Sequence, residues 1–80
     1  MTARSLLPDV RNPVLNLPGM QVLRALPADQ RTAICAALVS IRDEARAKAQ
    51  KSWRQNKAPM ACYWKVVGVY VEHIRRAIRP

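Results

Sequence analysis

Residues 59–78 repeat apolar side chains with the period of an α-helix. The gaps between successive apolar positions are 4, 3, 4, 3 and 4 residues, the spacing that brings side chains to one side of a helix. This apolar row consists of Met60, Trp64, Val67, Val71, Ile74 and Ile78. A second row beside it consists of Tyr63, Val66, Tyr70 and Ala77. At roughly 100° per residue the two rows span about 160°, more than one helix–helix contact needs. The pattern therefore predicts a helix with two neighbours.

The remaining arc of this helix, opposite the apolar rows, is polar. It consists of Lys65, Glu72, Arg75, Arg76 and Arg79. On the apolar side, the sequence predicts a set of largely buried residues that comprises Met60, Trp64, Val67, Val71 and Ile74.

An earlier apolar row predicts a long helix before it. The row consists of Ile34, Leu38, Ile41, Ala45 and Ala49. No proline or glycine interrupts the chain between Pro27 and Pro59, so the helix is predicted over about residues 28–56. Pro27 suits its start, and Asp29 favours the positive end of the helix dipole. The small alanines allow a bulky neighbour to approach closely.

The connection Asn56-Lys57-Ala58 is short, which predicts that the two long helices, over about 28–56 and 59–78, pack as an antiparallel hairpin. Trp53 is then expected to face Met60 and Trp64 near the turn. A short helix is predicted from Pro18 to Leu26 with Asn16 as its cap, after an extended arm of residues 1–17. The predicted fold is all-α: a long antiparallel helical hairpin completed by a short N-terminal helix and an extended arm, with residues 18–80 as a single helical domain.

Composition narrows the choice of partner. The 80 residues include 14 lysines and arginines against 5 acidic residues, a formal net charge of +9. Such a balance is typical of proteins that bind a polyanion or an acidic protein surface, although charges that only solvate the domain are the alternative. A chain this short buries only about 60% of its unfolded surface, so a monomer and a homodimer both remain open.

Membrane insertion is not expected, because the longest apolar runs fall far short of the ~20 residues that a spanning helix requires. The first ten residues also lack the apolar region of a secretory signal. We therefore expect the protein in the cytoplasm of the cell that makes it.

Catalytic and metal-binding chemistry is not indicated by the sequence. Cys35 and Cys62 would lie about 27 Å apart along the hairpin, too far for a disulfide, so free thiols are expected. His73 is the one histidine, and no paired-cysteine spacing or catalytic set accompanies it. We expect no metal, no cofactor and no enzymatic activity.

The strongest chemical signal is the run 46–57, which carries five basic residues and no acid. With Arg42 and the indole, the predicted binding face is Arg42, Arg46, Lys51, Trp53, Arg54 and Lys57. A second basic cluster, placed roughly 30 Å away by the hairpin, is Arg75, Arg76 and Arg79. Arginines beside a tryptophan bind phosphates, stack on a base or anchor a protein partner. The competing interpretation is that these cations offset helix dipoles and that Trp53 packs against Trp64.

A resemblance is found in residues 52–79. This segment resembles small proteins of proteobacterial phages and prophages that share a W-R-x-x-K-A-P-M-A-x-Y-W core, and the match covers about a third of the chain. The matching residues are Trp53, Arg54, Lys57, Ala58, Pro59, Met60, Ala61, Tyr63 and Trp64.

In size, charge and single-domain build the chain is also similar to anti-CRISPR proteins, which bind and block a host nucleic-acid-targeting complex. The resemblance implies a non-enzymatic inhibitor that docks its basic face on a host complex such as a CRISPR effector and occludes the nucleic-acid path. Two alternatives are direct nucleic-acid binding by a small phage regulator and a scaffold whose charge is incidental.

Overall fold

The computed structural model describes residues 13–80, and these residues form an all-α fold. In chain order they make a 3₁₀ helix at Pro13–Asn16, α1 at Pro18–Arg24, α2 at Ala28–Arg54 and α3 at Ala58–Ile78. The predicted all-α class and the long helical hairpin are confirmed. Residues 1–12, most of the predicted arm, lie outside the described residues. The last part of that arm is not extended as predicted, because residues 13–16 form the 3₁₀ helix.

Helices α2 and α3 pack antiparallel over most of their length. Near the start of α2, the Arg31 guanidinium donates a hydrogen bond to the Ile78 carbonyl at 3.2 Å. One turn later the Cys35 thiol lies 3.6 Å from the Arg75 carbonyl. Rising residue numbers in α2 therefore meet falling numbers in α3. This register keeps the two free cysteines at different ends of the hairpin, as predicted.

The turn between α2 and α3 is closed by backbone hydrogen bonds. The Lys57 amide donates to the Ser52 carbonyl at 2.8 Å, and the Asn56 amide donates to the Trp53 carbonyl at 3.1 Å. Asn56 itself has a φ of 58°. This pair of bonds around one left-handed residue is the Schellman arrangement, which satisfies carbonyls at the end of a helix. It ends α2 at Arg54 and leaves Pro59 in the first turn of α3.

The seam between the two helices is lined by small residues rather than by the predicted apolar row. Ala45 of α2 and Ala61 and Gly68 of α3 are buried. A Cβ atom built on Gly68 would lie 3.6 Å from the Arg46 Cγ and 3.8 Å from the Arg42 carbonyl oxygen. The backbones therefore approach closely at this point, and large side chains are displaced to the flanks of the seam.

Met60 is consequently 46% exposed, against the prediction that it is largely buried. The other four residues of the predicted buried set are only partly buried: Trp64, Val67, Val71 and Ile74.

The N-terminal elements pack against α3. The 3₁₀ helix and α1 both contact it, and Met20 is the buried residue of α1. Helix α1 ends at Arg24, two residues before the predicted end, and its N-cap is Leu17. Asn16 therefore does not occupy the predicted cap position; it closes the 3₁₀ helix instead. The Arg31 guanidinium also donates to the Leu26 carbonyl at 2.9 Å, which ties the loop after α1 to the end of α3.

Candidate functional site

An open groove of about 640 Å³ runs beside the α2–α3 seam in the half of the hairpin nearest the turn. From α2 the lining residues are Arg46, Ala49, Gln50, Trp53 and Arg54. From α3 they are Ala61, Cys62, Lys65 and Val69. The spacings within each helix follow the three-to-four-residue period that keeps side chains on one face. The groove is thus built from two matching helical faces, with the exposed Trp53 side chain on one wall.

The lining of this groove combines apolar and positively charged side chains. Ala49, Ala61 and Val69 give an apolar surface, and the Trp53 indole, whose residue is 68% exposed, extends it. The charged lining residues Arg46, Arg54 and Lys65 are all cations and all exposed. Among residues 13–80, no acidic side chain lines the groove. The arrangement suits an apolar group held between acidic or anionic groups.

Glu72 forms ion pairs with other cations of the molecule, and these cations are therefore less available to a partner. Its carboxylate accepts hydrogen bonds from Arg42 at 2.8 Å, from Arg75 at 2.8 and 2.7 Å, and from Arg76 at 2.8 Å. Glu72 is only 7% exposed. The sequence placed it on the arc opposite the apolar rows, and the structure turns this part of the arc towards Arg42 of α2.

The pKa values in this network follow from the hydrogen bonds. The bonds from Arg75, then Arg42, hold the pKa of Glu72 well below its usual value of 4.5, although burial acts in the opposite direction. The same carboxylate raises the pKa of Arg42 and of Arg75. Asp43, which is mostly exposed, adds a second contact to Arg42 at 3.0 Å.

The predicted binding residues therefore fall into three groups. Arg46, Trp53 and Arg54 line the groove together. Arg42, Arg75 and Arg76 meet at Glu72, so the two basic clusters that were predicted to be roughly 30 Å apart share one carboxylate through Arg42. Lys51, Lys57 and Arg79 are exposed and lie outside the groove.

Lys65 is the functional candidate that sequence reasoning missed. It was assigned only to the polar arc of α3, yet it supplies the cation on that wall of the groove. The sequence did not mark it, because its place one helical turn after the buried Ala61 follows from how α3 packs against α2. Gln50 and Val69 also line the groove and were not singled out, and Cys62 was considered only as a thiol.

Trp53 and Trp64 occupy different surroundings. The ring of Trp64 packs edge-to-face with Tyr63, at a centroid distance of 5.0 Å and an interplanar angle of 78°. The Lys48 ammonium lies 5.6 Å from the Trp64 ring centroid, in cation–π geometry. Trp64 does not line the groove, whereas Trp53 does. The predicted packing of Trp53 towards Trp64 therefore gives way to an exposed indole.

No family model matches the chain, and no curated protein and no solved structure matches it. None of the helices in residues 13–80 has the length and apolar content needed to cross a bilayer. Across the same residues, no three or more His, Cys, Asp or Glu side chains are grouped to hold a metal ion.

Proposed function

We propose that the protein is a non-enzymatic inhibitor of the anti-CRISPR kind, which acts in the host cytoplasm and docks its groove on an acidic surface of a host nucleic-acid-targeting complex. Docking there would keep target nucleic acid from its path. The observation that carries the docking surface is the groove, where an exposed tryptophan shares the lining with Arg46, Arg54 and Lys65. The target class comes from the resemblance of residues 52–79 to phage proteins.

The chemistry of the groove favours a protein partner. Tryptophan and arginine are the residues that most often dominate the free energy of protein–protein binding, when they enter a well-packed pocket of the partner. The apolar lining residues beside Trp53 extend the surface against which a partner can pack, and the three lining cations suit flanking carboxylates. A phosphate backbone would leave the apolar lining residues without a counterpart.

Direct nucleic-acid binding is the second candidate, and one feature favours it. The exposed Trp53 indole can stack on a base while Arg46 and Arg54 pair with neighbouring phosphates. Of the residues that the structure describes, three cations line the groove for this purpose, and Arg42 and Arg75 are engaged by Glu72.

A mobility-shift assay with a purified CRISPR effector–guide complex tests the proposal. The probe is labelled target DNA, and the added proteins are the wild type and the double variant R46E/R54E. Wild-type protein is expected to prevent the effector from binding the target. R46E/R54E is expected to lose at least tenfold in inhibitory potency, because it reverses two of the three cations of the groove.

The matched control is R24E/K51E, which makes the same change in net charge at two exposed residues outside the groove. It should inhibit as the wild type does. Equal loss in both variants would assign the effect to net charge. Unchanged target binding at saturating wild-type protein would remove the effector as the partner, and tight binding of the free DNA by the protein alone would make nucleic acid the ligand.

A further inference from the structure

The outward face of α3 carries an apolar strip that no described element covers. Tyr63, Val66 and Tyr70 follow at gaps of three and four residues, and they are 56%, 48% and 49% exposed. Val66 precedes the seam residue Gly68 by two positions, which turns it about 200° away from α2 at 100° per residue. The strip therefore faces away from the hairpin partner.

This strip is free of charge. Between Tyr63 and Ile74, α3 contains two Lys, Arg, Asp or Glu residues, Lys65 and Glu72. Lys65 lines the groove and Glu72 is buried against α2. A chain of net charge +9 repels its own copies over most of its surface. An uncharged apolar face is the part of that surface where two copies can meet.

From the strip, we propose that two copies of this chain associate through α3, packed antiparallel about a two-fold axis near Val66 and Val67. In such a pairing Tyr63 of one copy faces Tyr70 of the other, and the exposed Val66 side chains of both copies lie near the centre. The tyrosine–valine–tyrosine order is symmetric about its centre, as a two-fold interface requires, since the same patch must complement itself.

The small core gives a reason for this association. In residues 13–80 the buried hydrophobic residues are Met20, Ala45, Ala61 and Ile78, two of which are alanines. Chains of this length often complete their apolar burial by forming oligomers. The apolar arc of α3 is wide, and α2, α1 and the 3₁₀ helix leave one side of it open. Pairing through α3 would cover that side.

The dimer should be reversible. An aromatic side chain buries roughly 150–250 Å² in full, so the half-exposed strip offers on the order of 300 Å² per copy. A standard stable interface buries about 800 Å² per partner. The association is therefore expected to depend on protein concentration.

Sedimentation equilibrium over a concentration series tests the proposal. The apparent mass of the wild type should rise from 9.0 kDa towards twice that value as concentration increases. V66R places two cations at the centre of the interface and should weaken association at least tenfold. The matched control V22R makes the same substitution at an exposed valine of α1 and should associate as the wild type does, and circular dichroism melts show whether both variants are folded.

The orientation is tested by two variants that lose the same tyrosines. In Y63K/Y70E an antiparallel pair brings opposite charges together, whereas in Y63K/Y70K it brings like charges together. Y63K/Y70E should therefore retain the stronger association.

Three outcomes would overturn the proposal. They are a wild type that stays at 9.0 kDa, equal weakening by V66R and V22R, and equal association of the two tyrosine variants. R46E/R54E should leave the dimer intact, so this outcome is separate from that of the groove.

Discussion

Among single residues, Asn56 decides where the long helix stops. Its φ of 58° places it in the left-handed region, which costs most residues about 1–2 kcal/mol and costs glycine almost nothing. Asparagine tolerates this conformation better than other non-glycine residues. The position lets the amides of Asn56 and Lys57 bond back to the last turn of α2.

Substitutions at Asn56 should follow this conformational cost. We expect N56G to keep or raise the free energy of unfolding, and N56V to lower it by about 1–2 kcal/mol, because a β-branched side chain is strained at positive φ. Urea denaturation followed by circular dichroism measures both. Q55V is the control, since Gln55 is the adjacent turn residue with a φ of −91°; a loss as large in Q55V would show that the left-handed conformation is not the cause.

The turn also shows what the sequence predicts at this scale. Pro59 and the short connection were enough to place the break between the helices within two residues. The left-handed asparagine was not predicted, because Asn has only a weak preference for that conformation and no glycine marks the site. Similarly, Asn16 was a reasonable cap by residue type, yet α1 begins at Pro18 and its N-cap is the preceding residue, Leu17.

At the scale of the helices, periodicity predicted the elements well and their contact face less well. The row from Met60 to Ile78 is the most apolar line on α3, but the closest approach to α2 follows Ala61 and Gly68. Close packing favours small residues where two backbones approach each other. A pattern of hydrophobic positions does not identify such residues. The groove was predicted in part, through Arg46, Trp53 and Arg54, whereas Lys65 depended on knowing which face of α3 is packed.

Glu72 fixes the pairing of the two helices, and its removal should be costly. E72Q would leave Arg42 and Arg75 close together without their carboxylate, and breaking a buried ion pair in this way typically costs about 3 kcal/mol. D43N is the control, because Asp43 also bonds to Arg42 but is exposed, and an exposed pair contributes less than about 1 kcal/mol. Chemical denaturation at neutral pH compares them, and equal stability of E72Q and D43N would contradict the role given to Glu72.

The same residue gives the stability a pH dependence of known sign. Because folding depresses the pKa of Glu72 below 4.5, its stabilisation is fully present above about pH 4.5 and decreases as the pH falls towards the folded-state pKa. The stability difference between wild type and E72Q should therefore shrink as the pH is lowered below 4.5. Thermal melts at a series of pH values measure this, and a difference that does not change with pH would contradict it.

For the whole molecule, the net charge of +9 overstates the positive charge that is available to a partner. Arg42, Arg75 and Arg76 surround one buried carboxylate, and Lys48 lies over the Trp64 ring. The cations gathered around an apolar surface are those of the groove. A polyanion attracted by the whole molecule and a ligand held by the groove should therefore respond differently to salt and to charge reversal.

Residual binding to duplex DNA of arbitrary sequence provides that comparison. If DNA contacts only the three groove cations, the logarithm of the association constant should fall with the logarithm of salt concentration at a slope of about −3, or roughly 40-fold between 50 and 200 mM. Six or more phosphate contacts would instead give a loss of affinity of roughly 1,000-fold or more.

R46E/R54E should reduce the slope to about −1 by removing two contacts, whereas R24E/K51E, with the same net charge, should leave it unchanged. Fluorescence anisotropy titrations at several salt concentrations give all three slopes. Equal slopes for the two double variants would show that the net charge of the molecule, and not the groove, attracts the polyanion.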